Sequence, residues 1–119
     1  MKVESYEQLI VWQKAMDLAV ESYGLTERFP KEEIYGLTSQ MRRASISIPS
    51  NVAEGSRRGS KKEFRNFLRI AYGSGAELET QSRLAKRLNF TSIEDCRKMD
   101  ELLGEVMRML NVLIRNLKD

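Results

Sequence analysis

Apolar residues recur along this chain in alternating steps of three and four. Leu9, Trp12, Met16, Ala19 and Tyr23 make one such stripe, the spacing that keeps side chains in a row on one helix face. Ile34, Leu37, Met41, Ala44 and Ile48 make a second. A third runs through Phe64, Phe67, Ala71, Ser74, Leu78, Gln81, Ala85 and Leu88, and a fourth through Met99, Leu102, Val106, Leu110, Leu113 and Leu117. Leu103, Met107 and Ile114 lie beside the last stripe, so its helix is expected to bury more than one face. No strand-like alternation competes.

End signals divide these stripes. Ser5 with Gln8, Ser60 with Glu63, and Thr91 with Glu94 have capping-box spacing. Pro30 followed by Glu32 and Glu33 suits a helix start, with acids at the positive end of the dipole. Gly24 suits the end of the first helix, Gly55 to Gly59 breaks the second from the third, and Asn89–Phe90 turns the third into the fourth. The pattern predicts helices near 6–24, 31–55, 61–88 and 92–117. Joined by short loops, they make an all-α, up-down-up-down four-helix bundle forming a single domain over 1–119.

Two stretches break local rules. Pro49 within the second helix removes an amide donor and presses on the Ser45 carbonyl, at roughly 3 kcal/mol. A break there would leave Ser50 to Glu54 too short to hold itself. A continuous, kinked helix is therefore expected, with the serines at 45, 47 and 50 serving the freed carbonyl. In "YGSGAEL", Gly73 and Gly75 each cost about 1 kcal/mol against alanine in a helix. They predict a close approach, with Ser45-Ile46-Ser47 as the neighbour.

Charge changes the picture most. Residues 42–69 hold eight cations and two anions, a net +6, in a chain whose total is +3. Arg57, Arg58, Lys61 and Lys62 surround the expected second loop, and Arg65 and Arg69 continue along one face of helix three. With the loop amides of Gly59 and Ser60, they predict one continuous surface for the phosphates of RNA or DNA, held without regard to sequence. The bland alternative is a solvated tip. Arg42 and Arg43, mid-helix beside Met41 and Ala44, are expected to serve folding or assembly by pairing with glutamates such as Glu77.

The remaining inventory excludes more than it offers. There is no histidine, hence no proton shuttle and no imidazole metal ligand. "GSRRGSKK" lacks the phosphate-loop spacing and follows no strand. Cys96, the only cysteine, is expected to be a packing residue in a reducing, cytoplasmic setting. Met1 to Leu25 has no apolar core of a signal peptide, and no stretch is long enough to span a membrane. The expectation is a non-enzyme with no catalytic residues, cofactor or metal. Trp12, Phe64 and Phe67, at heptad spacing, are expected in the core.

"VWQKAMDL" at 11–18, "FPKEEIYGLTSQMRRASISIPSNVAEG" at 29–55 and "GSGAELETQ" at 73–81 closely resemble the four-helix-bundle proteins of the 23S rRNA intervening-sequence family. The resemblance covers nearly the whole chain. It implies a kinked up-down bundle that assembles as a homopentamer. That family is also similar in fold to the accessory variability protein of diversity-generating retroelements, a basic pentamer that engages nucleic acid and a reverse transcriptase. Gly75 and the Asn89-Phe90 turn depart from the family's usual residues, and the resemblance supplies no catalytic residues. Two functions follow as expectations: nucleic-acid binding through the basic loop, or an oligomeric scaffold for a protein partner such as a polymerase or reverse transcriptase.

Overall fold

The computed structural model describes residues 5–117, so the outer ends of the expected 1–119 domain lie outside the described residues. Four helices account for most of them: α1 (Ile10–Thr26), α2 (Leu37–Ser56), α3 (Lys61–Arg87) and α4 (Ile93–Asn116). Short 3-10 turns at Tyr6–Gln8 and Lys31–Glu33 precede α1 and α2, and there is no strand among the described residues. α1 packs on α2 and α4, and α3 packs on the same two helices, while the diagonal pairs are not backbone neighbours. Side-chain ties run the neighbours antiparallel. Arg42 at the start of α2 reaches Thr26 at the end of α1, Lys98 early in α4 reaches Glu21 late in α1, and Arg65 early in α3 reaches Leu117 just past α4.

The core runs down the centre through Leu18, Met41, Ile48, Leu68, Leu78, Met99, Val106 and Leu110, all essentially without exposure. Stripes two to four largely point inward. α1 does not follow its predicted stripe. Its buried row is Val11, Ala15, Leu18, Ser22 and Leu25, one residue away, while Met16 and Tyr23 are exposed and Trp12 is half-buried. Both rows have helical spacing. The row with small residues, Ala15 and Ser22, faces the crowded interior, and the bulkier one lies over the outer seam with α2.

Several ends also differ from expectation. Ser5 accepts from the Glu7 amide at 3.2 Å and caps the first 3-10 turn, so α1 begins later, at Ile10. α1 then passes through Gly24 to Thr26, whose hydroxyl donates to the Ser22 carbonyl at 2.8 Å. α2 begins at Leu37 because Glu33 folds back over Gly36, its carboxylate accepting from the Leu37 amide at 3.0 Å. A Cβ on Gly36 would stand 2.7 Å from that carboxylate oxygen. Ile34, before the true start, is 48% exposed. The fourth cap is Ser92, which accepts from the Asp95 amide at 3.1 Å, while the Thr91 hydroxyl lies 3.5 Å from the Cys96 sulfur. Cys96 is buried in packing, as expected.

α2 continues through Pro49. The serine hydroxyls do not serve the freed carbonyl as predicted: Ser45 donates to Arg42 O at 2.9 Å, Ser47 meets the Ser74 hydroxyl at 2.8 Å, and Ser50 is exposed. The glycine expectation divides. A Cβ on Gly75 would run into the sulfur of Met107 on α4, whereas one on Gly73 would meet nothing within 4 Å. Close approach at Gly75 is therefore to α4 rather than α2. The intervening Ser74 makes the contact to α2.

Candidate nucleic-acid interface

The loop between α2 and α3 is built by backbone chemistry that leaves its cations outside. Arg57 closes α2, its amide donating to Glu54 O at 3.1 Å. Gly59, at φ +91, takes the left-handed turn that a side chain would resist. Ser60 then caps α3, accepting from the Glu63 amide at 3.1 Å while its hydroxyl donates to the Glu63 carboxylate at 3.2 Å. This is the serine half of the predicted box; the Glu63 carboxylate meets the Ser60 hydroxyl rather than the Ser60 amide. It ties down one of the two local acids. The other, Glu54, is held by Arg58 at 2.6 Å.

The six candidate cations therefore divide. Arg57, Lys61, Lys62 and Arg69 are exposed, and none of them has an ion pair among the described residues. Arg58 is paired with Glu54, and its guanidinium also lies 4.9 Å from the Phe67 ring centre. Arg65 is half-buried and donates to Leu117 O at 2.6 Å, tying α3 to the end of α4. At about 100° per residue, Lys61, Lys62, Arg65 and Arg69 share one side of α3.

Arg42 and Glu77 do not make the expected pair. Arg42 Nε donates to the Thr26 hydroxyl at 2.9 Å and its guanidinium lies 4.5 Å from the Tyr23 ring centre. Arg43 and Glu77 are exposed. Glu77 stands on α3 between the buried Gly75 and Leu78 but is itself turned to solvent.

Sequence reasoning missed a groove beside the loop. Tyr6 and Trp12 pack edge to face, ring centres 5.3 Å apart, and the Arg57 guanidinium stands 5.3 Å from the Tyr6 ring centre. Both rings line an open cavity of about 350 Å³ between α1 and α2, floored by Met16, Ala19, Ile46 and Pro49. Phe64 is buried as expected, and Phe67 is half-buried. Trp12 is on the outer seam instead of the core. The available signal was the second helical row in α1, Val11-Ala15-Leu18-Ser22.

Other polar clusters are structural. Ser82, fully buried, donates to Asp100 at 2.9 Å, and Lys86 bonds the other carboxylate oxygen, which joins α3 to α4. Glu105 lies 2.8 Å from Lys14, whose hydrogen bond and charge hold that carboxyl below its ordinary pKa. No group of three or more potential metal ligands occurs among the described residues. None of the described helices is long and apolar enough to cross a membrane.

The scaffold is thus an all-α four-helix bundle whose distinguishing surface is a cationic loop at one end. The chain belongs to the family described as 23S rRNA-intervening sequence protein, which matches residues 7–112. It is similar to a solved structure from Bacteroides thetaiotaomicron, described as a protein with unknown function from the S23 ribosomal protein family. That likeness has a TM-score of 0.82 at 24% identity, covering 88% of this chain and 98% of the other, and is a likeness of fold. No curated protein matches the chain.

Proposed function

We propose that the protein is a non-enzymatic, cytoplasmic nucleic-acid-binding bundle that holds the phosphate backbone of RNA or DNA at the α2–α3 loop. One observation carries this reading. Four exposed cations, Arg57, Lys61, Lys62 and Arg69, lack ion-pair partners among the described residues, while both acids nearest the loop, Glu54 and Glu63, are already bonded. Such a surface is electrostatic and indifferent to base sequence. Assembly with copies of itself, a pentamer by family resemblance, would repeat the loop and multiply weak contacts. An apolar groove of about 440 Å³, where Leu9, Ile10 and Val11 meet Met109, Val112 and Leu113, supports self-association. A panel of RNA and DNA oligomers titrated over a salt series tests the reading. Salt-sensitive binding is expected, and no binding at low salt would overturn it.

A protein-binding scaffold is the second reading, favoured by Ile70, Leu84 and Leu88, each about half exposed along α3. Failure to bind nucleic acid together with a stable oligomer would put that reading first.

A further inference from the structure

We propose that the loop prefers a single strand to a duplex, because the Tyr6–Trp12 groove beside it receives one unpaired base. This inference rests on the nucleic-acid reading of the loop and names what that site selects. Arg57 belongs to both features. It is one of the four cations without an ion pair, and its guanidinium stands over the Tyr6 ring that forms the groove's wall. A phosphate held at Arg57 therefore leaves the adjoining nucleoside beside an aromatic edge. The groove holds about 350 Å³ and is lined by Tyr6, Trp12, Met16, Ile46 and Pro49, with little polar surface. That is the low end of small-ligand cavities and is shaped by flat and apolar side chains.

A base offers such a groove a π-face, whereas a duplex encloses its bases and presents only backbone. Arginine planes and aromatic rings are both stacking partners, so Arg57, Tyr6 and Trp12 form a mixed platform at the edge of a cationic surface. Trp12 packs against the edge of the core and against Tyr6, with part of its ring left open to the groove. The interior row of α1 is filled by Val11, Ala15, Leu18 and Ser22, and Trp12 remains half-buried over the outer seam.

Trp12 is the only tryptophan of the chain, so its emission reports on the groove alone. The full-length protein is titrated at low salt with a mixed-sequence single strand, its abasic counterpart of equal length, and the blunt duplex, each as RNA and as DNA. The base-bearing strand is expected to quench Trp12 and to bind more tightly, while the abasic strand and the duplex bind without quenching. Tyr6→Leu should weaken the base-bearing strand roughly 5- to 150-fold and leave the duplex unchanged. If that variant loses helicity, the three-ligand comparison on the parent decides alone. Equal binding of all three ligands with no quenching overturns the base pocket and leaves the phosphate surface standing. No binding by any ligand overturns the phosphate surface and the pocket with it. Quenching by RNA but not DNA, or the reverse, supports the pocket and identifies the sugar it accepts.

Discussion

A Cβ added at Gly55 would stand 2.6 Å from the Cβ of Phe67 and 3.3 Å from the carbonyl oxygen of Phe64. Both atoms are fixed to the α3 backbone, so the helices would have to part. Gly55→Ala is expected to destabilise by about 1–3 kcal/mol, overpacking outweighing the gain in helix propensity. At Gly73 the same addition meets no atom within 4 Å, and Gly73→Ala should stabilise by up to about 1 kcal/mol. Urea unfolding of the two variants checks both signs. Destabilisation at Gly73 would mean that a neighbouring copy covers it. Lys14 and Glu105 make a different kind of prediction. Because its pairing with Lys14 depresses the Glu105 pKa, the carboxylate contributes stability above its unfolded pKa and loses it as pH falls through the lower folded value. The stability difference between the parent and Glu105→Gln should therefore be present at neutral pH and disappear in the acid range. Salt should shrink it, since both side chains are about one-third exposed.

Helix starts separate what local sequence encodes from what tertiary contact decides. Ser60→Ala and Ser92→Ala should each cost about 1 kcal/mol of stability, because each hydroxyl accepts from an amide two to three residues inside its helix. Thr91→Ala should cost less, since its hydroxyl caps nothing and touches Cys96 instead. The Ser60 cap was legible because serine and glutamate interact within one turn. The start of α2 was not, because it depends on Glu33 reaching across Gly36 to the Leu37 amide, which no capping spacing encodes. Periodicity identified the helices and the inward faces of α2, α3 and α4. In α1 it offered two rows of equal spacing, and only the volume left by the other helices chose between Leu18 and Trp12. The cationic loop was readable from charge and breakers alone. The aromatic groove was not, since it needs Tyr6 folded back by the first 3-10 turn and α2 alongside.

At the scale of the whole molecule, the bundle is about 45 Å long, with its cationic loop at one end and exposed apolar seams on its sides. Self-association through those seams predicts a mass by light scattering several times the 13.8 kDa of one chain, and a monomer at micromolar concentration would contradict it. The two arginine groups should also behave differently. Replacing Arg42, which bonds Thr26 and covers Tyr23, should loosen the fold. Replacing Arg57 should leave it intact. With four cations lacking ion-pair partners at the loop, binding to duplex should fall with salt at a log–log slope of about −0.9 per phosphate neutralised, or about −3.6. The most direct measurement is that salt titration repeated with Arg57→Glu combined with Lys61→Glu, alongside circular dichroism and light scattering. Binding should be lost while helicity and mass stay at parental values; a folded double variant that binds RNA and DNA as tightly as the parent, with the same slope, would contradict a phosphate-binding loop.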